Sequence, residues 1–419
     1  MSDTLDLTID GIAQGGEGVG RCDGQVVFAR GGLPGEQVRL RITERKTSYL
    51  RGEVIMLLEA SPDRVEPRLL AGDHAPWQHI AYPAQLRFKE TILRDQLAKL
   101  AGLHELNIAP IIAAPQPWGY RNTAHLHVAG TDLGYYAAGT RAIEPLTADP
   151  LLLTVLNQAI TALAPLLPPD LISGVTLRAS HTFGYAIAML HVAPGAEPDD
   201  LDLLAAAWRA HAPGLAGVGA AWRGRPVIEP DGAATLHEVL AGITYELGPE
   251  SFFQANVPQA ETLVELALAA LEPAPGKYLL DLYSGVGAFA LPMAAAGASV
   301  VAVEEHPGAV EDGRQSANLN GVTGVRFVRG AVERALPPLE GSFDGVLLDP
   351  PRRGCHPAVL EALAEQRPPR LVYVSCHPGI LGRDLPPLLR AGYQITQIQP
   401  VDLLPQTPHI ETVVTLDLG

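Results

Sequence analysis

The chain has 419 residues, enough for two or three domains, and 47% of them are hydrophobic, enough to fill sizeable cores. A net charge of −16 counts against a protein that grips nucleic acid over its whole surface, although a local basic groove on an acidic protein suffices. Three cysteines (Cys22, Cys355, Cys376) give no disulfide framework; with no signal-peptide pattern at Met1-Ser2-Asp3-Thr4-Leu5-Asp6 and no bilayer-length apolar run, a cytoplasmic protein is expected.

Thr4 to Ile9 alternates as a strand, and 11–20 carries Gly-rich turn chemistry. Gln25 to Ala29, Glu36 to Thr43 and Tyr49 to Leu58 read as further strands, so residues 1–59 suggest a small β-barrel. From Arg21 to Ile55 there are seven basic residues against four acidic, with Arg39 and Arg41 on one strand face. A solvated barrel face and a surface for the RNA backbone are both open readings of that bias.

Residues 60–245 begin with a Pro-marked linker, Ser61 to Pro67. Gln85 to Ala101 has the apolar spacing of an amphipathic helix. Strands follow at Thr123 to Val128, Leu133 to Tyr136, Gly174 to Ala179, Tyr185 to Val192 and Gly217 to Trp222. Helices are expected at Leu151 to Leu166 and Leu201 to His211, with the acidic run Pro198 to Asp202 as solvated loop or helix start. This is an α+β pattern without a catalytic motif. Its histidines lack metal-ligand spacing and read as structural.

Residues 246–419 alternate strand and helix, which predicts a parallel, doubly wound sheet with an antiparallel pair at its edge from Tyr393 to Leu403 and Glu411 to Leu418. Asp281-Leu282-Tyr283-Ser284-Gly285-Val286-Gly287 lets backbone approach a ligand at a helix start. Glu304 ends the next strand, at the spacing that holds a ribose hydroxyl. Ala290 stands where a dinucleotide loop has its third Gly, and with Asp349-Pro350-Pro351 after the fourth strand S-adenosylmethionine fits better than NAD. The strand Leu371 to Val374 stops at Ser375-Cys376, where Pro378 bars its continuation. A thiol there stands where such sheets hold ligands; a small buried hydrophobe is the plain alternative.

"DLYSGVGAFA", "DPPRRG", "YVSCHPGILGRDL" and "VDLLPQTPHIETVVTL", with "ESFFQANVPQAETL" and "YRN" upstream, resemble the S-adenosylmethionine-dependent RNA uracil-5 methyltransferases in order and spacing. "DGIAQGGEGVGRCDGQVVFARGGLPGEQVRLRI" is similar to the TRAM domain, an OB-like RNA-binding module. The resemblance covers nearly the whole chain and points to the members that act on 23S ribosomal RNA. It implies a TRAM barrel over 1–59, a central α+β domain over 60–245, and a Rossmann-like catalytic domain over 246–419. By the same pattern the helix near 85–101 packs on the catalytic domain. It assigns Cys376 as nucleophile, Glu411 as general base, and Gln254, Tyr283, Glu304 and Asp349 to S-adenosylmethionine; Asp349 is also a candidate for the polar edge of uracil.

Two departures carry consequences. Many relatives hold an iron–sulfur cluster on four cysteines. Here 69–77 contains none before Gln78-His79, and Glu144-Pro145 stands at the fourth position, so no cluster is expected and packing around Trp77 is the candidate substitute. Ala288 and Ala331 lie where some relatives carry Asn contacts to the cofactor, hydrogen bonds that a methyl group cannot replace. Uracil carbon-5 is too weak a nucleophile unassisted; a thiolate added at carbon-6 activates it, and a base then clears the carbon-5 proton. The target base must leave its stack, which suits single-stranded or loop RNA. Ribosomal RNA is the expected partner and transfer RNA the alternative. An N-methyltransferase, which needs no cysteine, and a non-catalytic RNA-binding assembly factor are the competing classes.

Overall fold

The computed structural model describes residues 4–69, 74–137, 139–196, 201–222, 225–233, 235–337, 339 and 342–419. The acidic run at 198–202 and the cysteine-free stretch at 69–77 fall partly outside them.

The N-terminal unit is a six-stranded sheet of β1 (Thr4–Thr8), β2 (Gly11–Ile12), β3 (Gly18–Cys22), β4 (Gln25–Arg30), β5 (Gln37–Arg45) and β6 (Tyr49–Glu59). Its order is β1-β5-β6-β4-β3-β2. Leu7, Ile9, Val27, Val38 and Leu40 fill its core at alternating positions. The 11–20 stretch is more than a turn, because β2 and β3 pair across a tight loop at 13–17. Arg39 is bound to Asp6, Arg41 to Glu53, and Arg51 to Glu17 and Glu44, so much of the basic surplus is already matched by acids of the barrel.

After the linker, α1 (Tyr82–Ala101) carries Pro83 in its first turn and stops at Gly102, whose φ of 69° makes the left-handed cap. The central sheet holds β7 (Thr123–Ala129), β8 (Asp132–Tyr136), β9 (Ile143–Pro145), β10 (Ile172–Ala179), β11 (Ala186–Val192), β12 (Leu215–Trp222) and β13 (Arg225–Gly232). Two helices, α2 (Thr154–Leu163) and α3 (Leu201–His211), cover one face and bury Leu156, Ile160, Leu204 and Trp208 against it. That core is ordinary apolar packing. Trp77 is not part of it: the indole lies at the seam between barrel, α1 and Ile410.

A hairpin of β14 (Leu236–Leu240) and β15 (Ile243–Leu247) leads to α4 (Val257–Leu271) and shares one core with α4. The last sheet contains β16 (Tyr278–Leu282), β17 (Ser299–Glu304), β18 (Val325–Arg329), β19 (Gly345–Leu348), β20 (Arg370–Ser375), β21 (Tyr393–Val401) and β22 (Glu411–Leu418). Its order is β18-β17-β16-β19-β20-β22-β21, parallel as far as β20 and antiparallel beyond. The helices are α5 (Ala290–Ala295), α6 (Pro307–Leu319), α7 (Val332–Ala335), α8 (Pro357–Gln366) and α9 (Pro378–Arg390). Strands such as Val300-Val301-Ala302-Val303 are apolar throughout because both faces are covered. Despite its early place, α1 lies on α9 and sends Leu93 and Leu97 into the core of this sheet.

Candidate active site

Four strand ends make the floor of the site. The parallel register Leu282↔Leu348 sets Tyr283 beside Asp349 as the chain leaves β16 and β19. The antiparallel register Ser375↔Thr412 sets the next pair, Cys376 and Glu411, opposite each other. Cys376 ends its strand because Pro378 opens α9, and the His377 ring caps that helix by accepting from Ile380 N–H at 3.1 Å.

The electrostatics are those of a crowded acidic cleft. Burial, then Glu411 and Asp349, push the half-buried Cys376 thiol up to about 12, while Arg352 opposes the rise. Glu411 is held well above the usual carboxylate range by burial first and Asp349 second, again opposed by Arg352. Burial raises Asp349 to about 7. Arg352 lies 3.4 Å from His409 Nε2, and burial together with that guanidinium lowers His409 to about 4. The first motif arginine, Arg352, is therefore the counter-charge of the cluster. Its sequence neighbours gave no sign of that role, since Arg352 and Arg353 adjoin in a loop.

The cofactor candidates line the same edge. Tyr283 adopts a φ of 65°, a left-handed conformation that costs a non-glycine residue strain and persists where the surroundings enforce it. Its hydroxyl meets Cys355 Sγ. Glu304 accepts from Gly285 N–H at 2.9 Å and from His306 N–H at 2.7 Å, which fixes the carboxylate beside the glycine loop. Gln254 lies in the loop before α4, where its carbonyl accepts from Asn122 Nδ2 at 3.0 Å. Asp281, one residue before Leu282, is fully buried, and its carboxylate has only the nearby Ala290 N–H to lower its pKa; Ser284 Oγ has no partner. Burial, then Asp349, hold Asp281 well above the carboxylate range. Buried acceptors at a glycine loop fit a cationic ligand with donors to offer, as S-adenosylmethionine has. Among the described residues no group of three His, Cys, Asp or Glu could hold a metal ion.

The loop at 402–410 carries His409 and leads into Glu411. It is fastened from below by buried polar side chains. Lys89 Nζ donates to Asp402 Oδ1 at 2.5 Å and to Leu404 O at 3.1 Å. Gln85 and Gln406 exchange two hydrogen bonds of 2.8 and 2.9 Å. Asn256 and Gln259 donate to Leu403 O and Asp402 O.

Comparison with known proteins adds the family. The tRNA (uracil-5-)-methyltransferase family model matches residues 235–418, and the TRAM domain model matches 3–55. An uncharacterized RNA methyltransferase of Thermosynechococcus vestitus is 36% identical over 99% of this chain and 98% of its own. The chain belongs to the S-adenosylmethionine-dependent RNA uracil-5 methyltransferases of the TRAM type. Another relative, an uncharacterized RNA methyltransferase of Gloeobacter violaceus, is 34% identical over 99% of this chain and 96% of its own. The Pyrococcus abyssi tRNA (uracil-54, C5)-methyltransferase, solved with S-adenosyl-L-homocysteine, matches with a TM-score of 0.79 and 25% identity over 98% of this chain and 100% of its own. This uracil-5 methyltransferase is thus an enzyme that takes S-adenosylmethionine and acts on RNA. Among its described residues no helix is long and apolar enough to cross a membrane.

Proposed function

We propose that the enzyme methylates carbon-5 of a uridine in large-subunit ribosomal RNA through a covalent adduct on Cys376. The observation that carries this reading is the strand register that sets Cys376 and Glu411 face to face at the carboxyl end of the sheet. Bound S-adenosylmethionine supplies the methyl group, with Gln254, Tyr283, Glu304 and Asp349 as its proposed contacts. Cys376 adds to carbon-6 of uracil and makes carbon-5 nucleophilic. Burial disfavours the thiolate, and Arg352 supplies the positive charge that favours it. Once carbon-5 carries the methyl group, Glu411 removes its proton and the thiolate leaves. A carboxylate raised by burial is a stronger base than one in water, which suits that step.

Transfer RNA is the second reading, favoured by the substrate named for the Pyrococcus enzyme. Mapping 5-methyluridine in RNA from a deletion strain separates the two: a site lost from the large-subunit RNA supports the first, and one lost only from transfer RNA overturns it. The roles are tested by a pair of variants. Cys376→Ala forms no adduct and transfers no methyl group. Glu411→Gln keeps the shape but cannot take the proton, so a methylated RNA–protein adduct accumulates and survives denaturing electrophoresis. Wild-type turnover by Glu411→Gln, or an adduct on Cys376→Ala, would overturn the assignment. Cys355→Ser still forms the adduct, since that thiol is buried in the apolar core, whereas Cys376 is partly exposed.

A further inference from the structure

The loop at 13–17 leaves the barrel and lies against both chain segments that carry the reactive pair. Gln14 Nε2 is 2.9 Å from each ring nitrogen of His377, the residue after Cys376. Gly16 O accepts from Trp77 Nε1 at 3.1 Å. A Cβ on Gly16 would stand 2.9 Å from Pro408 Cβ, beside His409, and one on Gly379 would stand 2.8 Å from Gln14 Oε1. Two missing side chains thus allow the close approach. Below the loop, Ile12 and Leu33 of the barrel pack with Trp77, Ile92 and Ile410, the residue before Glu411. The barrel therefore touches the chain just after one member of the pair and just before the other.

His377 explains what the contact does. Burial lowers its pKa, against a backbone hydrogen bond that raises it, with Arg352 and Arg383 acting in the same direction as burial. Its Nδ1 accepts from Ile380 N–H, which leaves the proton on Nε2. The Gln14 amide nitrogen is equidistant from both ring nitrogens, so the side chain lies over the ring face and holds the ring by contact. We propose that Gln14 is a positioning residue for the reaction: it holds the His377 ring on the first turn of α9 and so fixes the backbone that presents Cys376. The TRAM barrel then contributes to turnover as well as to RNA binding.

The inference rests on the reading of Cys376 as nucleophile. Its test uses the full chain, RNA from the deletion strain and tritiated S-adenosylmethionine. Gln14→Ala lowers kcat about 10- to 100-fold, the scale of a misplaced reacting group, while KM for RNA and Kd for S-adenosylmethionine move less than about twofold. Gln14→Glu keeps a planar group of the same shape and reach over the ring and restores most of kcat, and Gln14→Leu does not. Gly379→Ala displaces Gln14 and also lowers kcat, and the double variant Gln14→Ala with Gly379→Ala is no slower than the worse single. An unchanged kcat, a change in KM alone, or losses that multiply would each overturn the proposal. Cys376→Ala is assayed alongside. If it still transfers methyl groups, the nucleophile reading fails by itself; if it is dead and Gln14→Ala is normal, only the positioning role fails.

Discussion

A nucleophilic thiol among acids needs a cation, and Arg352 is the cation this site provides. Arg352→Met removes the positive charge that opposes burial, so the Cys376 thiol moves up further and alkylation slows. Iodoacetamide kinetics on a chain carrying Cys22→Ser and Cys355→Ser measures this; an unchanged rate at pH 8 would count against the charge argument. Glu304→Ala loses hydrogen bonds at the cofactor edge and weakens S-adenosylmethionine binding by about 1–3 kcal/mol, which calorimetry can read. At this scale the motif residues were legible, because strand ends and a Gly-rich loop leave local signatures. The buried Asp281 was legible only as the first letter of that loop. Gln14 was not, since its partner lies 363 positions away and no local pattern records the contact.

Helix and strand arrangement decide whether the reactive pair meets at all. The periodicity of α1 gave the helix, but a lysine in an amphipathic helix reads as solvent-facing, whereas Lys89 is fully buried against Asp402. Breaking a buried pair leaves one charge uncompensated. Lys89→Met is expected to cost about 3–5 kcal/mol in urea unfolding, and Lys89→Met with Asp402→Leu to recover part of it. If the double variant is no more stable than the single, the pair is not the source of the loss. The edge pair β21 and β22 was also legible as two adjoining strands. That β22 inserts next to β20, with Glu411 opposite Cys376, depended on long-range pairing.

Across the whole molecule, the barrel is locked to the rest through Glu36. Its carboxylate is fully buried and accepts from Arg64, Leu33 N–H and Ser61 N–H. Burial pushes its pKa up, but those donors outweigh the effect, and the net shift is downward. A lowered folded value means the stabilisation is present above the ordinary value of 4.5 and is lost as pH falls through the folded one. Barrel docking should therefore weaken on acidification below that value, and Glu36→Gln should weaken it already at neutral pH; limited proteolysis at 60–69 reports both. Deleting 1–59 is expected to leave S-adenosylmethionine binding nearly intact, because Glu304 and Asp281 lie at other strand ends, and to weaken RNA binding. Calorimetry with cofactor and with RNA would expose equal losses, the outcome that contradicts this division. The barrel itself was readable from Gly-rich turns and short strands, but its seat was not, because the seam is built from single residues of three regions. That seam bears on exchange of parts. A barrel transplanted from another protein of the same fold would supply RNA affinity but would meet Trp77, Pro408 and Gly379 with the wrong loop. Such chimeras should fold and bind RNA yet turn over slowly, and grafting Ala13 to Glu17 alone should return their speed.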